Sequence, residues 1–119
     1  MSKLEDRTER LFSYGTLQAT PVQIQTFGRQ LVGNSDAMDG WAQTFLEITD
    51  PYVLRTSGET HHPIVTKTGN PSEFVLGTMF HITPAELESA DAYEVDDYER
   101  VSVTLRSGTK AWVYVAAKP

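Results

Sequence analysis

The chain has 119 residues, a net charge of −6 and no cysteine. That length is one domain's worth, and the absence of thiols excludes a disulfide scaffold, a thiolate zinc site and a cysteine nucleophile. The charge balance, with no Lys/Arg cluster, excludes the basic stripe that a nucleic-acid binder needs to displace counterions.

A hydrophobic fraction of 39%, with five Phe, five Tyr and two Trp, is enough to bury a core without cross-links. A fold held by packing alone suits a reducing compartment, and the chain is read as cytoplasmic. The first residues, MSKLEDRTERLF, carry charges of both signs and no apolar h-region, so they do not read as a signal peptide. No run approaches the roughly 18 apolar residues of a membrane span, and no membrane partner is expected.

In chain order, residues 1–9 read as a flexible lead-in and 10–119 as a single domain. Residues 10–14 form a strand candidate that ends at Tyr14-Gly15. In TPVQIQTFGRQLVG, Thr20 is the expected N-cap and Pro21 the first helical residue, where its missing N–H costs nothing. That short helix should end near Gly28 or Gly33. NSDAMDG (34–40) has loop chemistry. WAQTFLEIT alternates as a strand, Asp50-Pro51 opens a turn before a short strand and an exposed Ser-Gly loop, PIVTK is a short strand and TGNPS a turn. EFVLGTMFHIT is a long strand whose internal Gly77 marks a bulge or close approach of another backbone.

Thr83, Pro84 and Glu86 make a capping box with proline at the first helical position, so a second helix begins there. The last two alternating runs, joined through Ser107-Gly108, are the clearest hairpin in the chain. The sum is an α+β fold: a mainly antiparallel, bent sheet or small barrel of about six or seven strands with two short helices.

Candidate chemistry is sparse. His61 and His62 are adjacent and would face opposite ways on a strand, and His81 stands alone. No third zinc ligand can be named, the acidic run 86–99 lacks EF-hand spacing, and no metal or other cofactor is expected. There is no G-x-S-x-G and no P-loop. Within ELESADAYEVDDYER, the spacing Leu87, Ala90, Glu94 puts Glu94 on the apolar face of its helix. An inward carboxylate among other acids should have a raised pKa and act as a base near neutrality. From position alone, a structural Glu satisfied by backbone N–H groups or by an Arg such as Arg100 is the more common case.

Four stretches carry a family resemblance. LFSYGTLQ resembles the strand-loop signature of the γ-glutamylcyclotransferase-like superfamily. ADAYEVDDYERVSVTL resembles its second signature, LD-x-[YF]-E followed by Y-x-R. FVLGTMFHIT and KAWVYVA resemble two of its strands. They occur in the family's order and span most of residues 10–116. The chain departs at Ala90, where Leu is usual, and at Thr78, where many members have Glu. Residues 50–72 match poorly, which bears on substrate choice.

The resemblance implies a cofactor-independent cyclotransferase. The α-amine of a γ-glutamyl amine or peptide attacks its own γ-carbonyl, and 5-oxoproline and an amine are released. It implies Glu94 as the general acid and base. It also implies that Tyr14, Gly15, Thr16 and Leu17 bind the substrate's α-carboxylate, through backbone N–H groups and the Thr16 hydroxyl, with Tyr98 beside Glu94 or the substrate. Tyr114 is more simply a packing residue. The partner is then a small γ-glutamyl molecule, and the chain a monomer or homodimer. Two rivals are a non-catalytic small-molecule binding or interaction module on the same fold, and a hydrolase or lyase acting on another small amide.

Overall fold

The computed structural model describes residues 7–47, 61–94 and 98–117. The described chain runs β1 (Glu9–Ser13), a 3-10 turn (Thr16–Gln18), α1 (Thr20–Phe27), β2 (Val32–Asp39), β3 (Trp41–Glu47), β4 (His61–Lys67), β5 (Phe74–Ile82), α2 (Pro84–Tyr93), β6 (Tyr98–Thr104) and β7 (Lys110–Ala116). The expected turn at Asp50-Pro51, the strand after it and the Ser-Gly loop lie outside the described residues.

Five strands form one sheet in the order β2-β5-β1-β7-β6, and β3 pairs with β4 in a separate ribbon. β1 is central: antiparallel to β5, with Phe12 opposite Met79, and parallel to β7, with Leu11 opposite Trp112. Every other pairing is antiparallel. Because side chains alternate along a strand, Leu11 and Phe12 serve different cores. Leu11 packs with Leu17, Phe80, Leu87 and Ala90 beneath the 3-10 turn and α2. Phe12 packs with Met38, Val65, Met79 and Val113 on the face covered by the β3–β4 ribbon. Consecutive apolar residues, Leu11-Phe12 on β1 and Val113-Tyr114-Val115 on β7, thus bury the sheet on both faces.

The sheet is bent. The turn between β6 and β7 reaches the far edge strand, where Arg106 N–H donates to the Ala37 carbonyl (2.8 Å) and the Ser107 hydroxyl to Asp36 (2.6 Å). These contacts also explain a correction to the sequence reading. Residues 34–40 were expected as a loop, but Val32–Asp39 is a strand paired with β5 along eight residues. Its polar residues are accommodated because β2 is an edge strand: Asn34, Ser35 and Asp39 are exposed, and Asp36 accepts from the Ala37 N–H and from Ser107. Local composition signalled a loop; non-local pairing overrode it.

The two helices are as expected in place. α1 ends at Gly28, whose φ is +76°. Its start differs by one residue: Ala19 is the N-cap, without a side-chain bond, and Thr20 and Pro21 both lie in the first turn. Proline is tolerated there because those N–H groups have no intrahelical acceptor. α2 has the complete capping box, with Thr83 Oγ1 accepting from Glu86 N–H (3.1 Å) and Glu86 accepting from Thr83 N–H (2.9 Å).

Gly77 has the close approach its place in the strand suggested. A Cβ there would lie 2.4 Å from the Ser13 carbonyl oxygen and 2.7 Å from the Phe12 ring. β1 therefore lies directly over Gly77 at the point where it ends and the Tyr14-Gly15 turn begins.

Candidate functional site

Two segments converge where β1 ends and α2 ends. The first is the turn Tyr14–Gln18. Leu17 is buried among Leu11, Leu31 and Phe80, so its side chain anchors the turn, and only its backbone N–H is left for a ligand. Gln18 N–H and Ala19 N–H donate to the Gly15 and Thr16 carbonyls (3.1 and 2.9 Å). The first N–H groups of such a turn have no acceptor within it. Gly15 has φ −127°, so no left-handed conformation demands glycine. The constraint is contact: a Cβ at Gly15 would lie 3.1 Å from Pro63 Cγ on β4.

The second segment is the end of α2. Leu87 and Ala90 face the core as the spacing implied. The helix, however, ends at Tyr93, and Glu94 is its C-cap, with extended backbone (φ −73°, ψ 140°). Glu94 is therefore turned inward by the exit from the helix, not by helical periodicity. Burial pushes its carboxyl up to about 7. The raised value matches the sequence reading, but its physical cause is removal from water rather than the neighbouring acids.

Tyrosines surround this carboxyl. Burial raises the phenols of Tyr14, Tyr93 and Tyr114, and the charge of Glu94 adds to the rise in each. Tyr14 donates to the Tyr114 carbonyl oxygen (2.5 Å), and Tyr98 donates to the Pro63 carbonyl oxygen. Tyr114 donates to Asp91 (2.8 Å), which pairs with Arg100 (3.0 Å). Arg100 in turn stacks on Trp112 at 4.4 Å. Arg100 thus pairs with Asp91, one helical turn before Glu94.

Sequence reasoning overlooked three side chains here. Tyr93 bridges the two segments, its hydroxyl 2.7 Å from Thr16 Oγ1. The motif position it fills, Tyr or Phe, gave no sign of that bond. Gln18 donates to the Gly15 carbonyl (3.3 Å) and accepts from Thr78 (2.9 Å). Thr78, noted only as a departure from the family pattern, is therefore tied to the turn. Gln23, the third, is buried in α1 beneath the turn.

Among the described residues, no three His, Asp or Glu side chains converge as metal ligands, and no helix is long and apolar enough to cross a membrane. The side chains of His61 and His62 lie outside the description; His81 is on β5.

The profile of the family described as gamma-glutamyl cyclotransferase, AIG2-like, matches residues 11–119. No curated protein matches the chain significantly. A solved protein from Arabidopsis thaliana superposes with a TM-score of 0.70 at 22% identity, over 93% of this chain and 72% of that one. A Pyrococcus horikoshii protein gives 0.62 at 20%, over 94% and 81%. A structure titled gamma-glutamyl cyclotransferase gives 0.72 at 13%, over 92% and 67%. At these identities the structures establish a shared fold.

Proposed function

The chain belongs to the gamma-glutamyl cyclotransferase, AIG2-like family, and from that membership we propose that it releases 5-oxoproline from a γ-glutamyl amine or peptide. The observation that carries the reading is Glu94, a half-buried carboxyl raised to about 7 beside the Tyr14–Leu17 turn. A group poised there accepts a proton and returns it within one turnover.

In this reading the turn holds the substrate's α-carboxylate through backbone N–H groups, with Thr16 adding a hydroxyl. Glu94 takes a proton from the α-ammonium. The freed amine attacks the γ-carbonyl, closing a five-membered ring. The amide C–N bond then breaks as Glu94 returns the proton to the leaving nitrogen. The ring nitrogen gives up its second proton to Glu94, which passes it to the departing amine, so that a neutral lactam and an ammonium result. No water enters, and the protein's main contribution is to fold the substrate into a near-attack shape. Tyr14 and Tyr98 donate to main-chain carbonyls, which holds β1, β4, β6 and β7 around the site beside the substrate that both residues contact in this reading. Assay of a panel of γ-glutamyl compounds for 5-oxoproline tests the proposal. Binding without turnover across the panel would favour the non-catalytic module.

The turn gives a second test. Gly15→Ala would place a methyl group 3.1 Å from Pro63 Cγ, so that the turn or Pro63 has to give by a few tenths of an ångström, and affinity for 5-oxoproline should fall by about tenfold. Thr16→Ala removes one hydroxyl and should cost about 0.5–1.5 kcal/mol. Calorimetric titration of 5-oxoproline, and of pyrrolidinone, which lacks the carboxylate, reads both. Equal affinity of the wild type for the two compounds would show that the turn does not bind a carboxylate.

A further inference from the structure

An anion-binding turn has to face its N–H groups toward the ligand and turn its carbonyl oxygens away. The Gly15 and Thr16 carbonyls are held by the N–H groups of Gln18 and Ala19. The Leu17 carbonyl is not held in that way: Thr20 N–H, the next donor in the same three-residue series, makes no bond to it. Four residues on, where a helical donor would stand, is Pro21, which has no N–H. The side chain of Gln23 occupies that role: its Nε2 donates to the Leu17 carbonyl at 2.8 Å. Its Oε1 accepts from Leu31 N–H at 2.9 Å, which ties the turn to the segment entering β2. Gln23 is 2% exposed, and both ends of its amide are satisfied, as a buried polar group requires.

We infer that Gln23 is a positioning residue for the carboxylate-binding turn: it gives the Leu17 carbonyl the donor that the backbone does not supply, and so keeps that carbonyl turned away from the ligand. The inference rests on the carboxylate-binding reading of the turn. Without Gln23 the Leu17 carbonyl is unpaired, and the peptide rotates to find a donor. The N–H groups of Thr16 and Leu17 then lose their fixed direction.

The test uses Gln23→Met, which keeps length and removes both bonds, and Gln23→Glu, which keeps the acceptor for Leu31 N–H but sets a carboxylate against the Leu17 carbonyl. Amide hydrogen exchange, thermal unfolding, calorimetric titration and steady-state kinetics are recorded for wild type and both variants. Exchange at Gln18 and Ala19 should speed up at least tenfold in both variants, with the interior amides of α2 unchanged. Affinity for 5-oxoproline should fall about tenfold while that for pyrrolidinone holds, and KM should rise with kcat within about twofold. Unchanged exchange at Gln18 and Ala19, or exchange that rises uniformly with the fall in unfolding temperature, overturns the inference. If the wild type binds no 5-oxoproline yet exchange at those two amides still rises locally in the variants, the carboxylate reading fails and the hold of Gln23 on the turn stands.

Discussion

Glu94→Gln should fold normally and lose turnover by at least a hundredfold. The amide is nearly isosteric but accepts no proton, and general acid–base catalysis contributes roughly 10²–10⁴. In the wild type, kcat/KM should fall about tenfold per pH unit below about 7, where burial places the Glu94 carboxyl. The same burial has an opposite effect on stability. The folded value, about 7, lies above the ordinary 4.5. Between those two values the folded chain holds a proton that the unfolded chain has released, so stability falls as pH rises through that window. Above pH 7 the ionised carboxylate costs on the order of 3 kcal/mol. The Gln variant should accordingly unfold at a higher temperature than wild type at pH 8 and at nearly the same temperature at pH 4. Turnover by the variant within tenfold of wild type, or an unfolding difference independent of pH, would remove Glu94 from its role as the base.

Gly77→Ala should be among the most damaging single-methyl changes available. The added carbon would meet the Ser13 carbonyl at 2.4 Å and the Phe12 ring at 2.7 Å. Neither is the free end of a flexible side chain: one is the backbone of the central strand, and the other is a ring buried to within 1%. β1 and β5 would have to separate just where the Tyr14-Gly15 turn leaves β1. A loss of about 3 kcal/mol or more is expected, a large share of the 5–15 kcal/mol typical of a domain. Urea denaturation measures it; a loss below about 1 kcal/mol would mean that the strands part freely there.

Gly77 also shows what a sequence discloses. A glycine inside an alternating run could be read as a close approach, although its partner, β1, lies more than sixty residues earlier. The α2 capping box and the Ser107-Gly108 hairpin were readable because their determinants are local. β2 was not, since its pattern is polar and only pairing with β5 makes it a strand. Glu94 was singled out by helical periodicity and reached its inward position by the helix exit instead. Tyr93, Gln18 and Gln23 were missed because each acts through a contact that only the tertiary fold creates. Gln23 is the instructive case: a polar residue one step from Val22 on α1 gave no sign that it faced inward, and the Leu17 carbonyl that it pairs with explains its burial only once the turn is seen.

The central claim is that the substrate's own amine, and not water, attacks the γ-carbonyl. Turnover of a γ-glutamyl amine in ¹⁸O-labelled water, with the products resolved by mass spectrometry, tests it most directly. The account requires 5-oxoproline and free amine in equal amounts, the 5-oxoproline carrying no ¹⁸O. Glutamate bearing ¹⁸O in its γ-carboxyl would show hydrolysis by water, and would contradict the account.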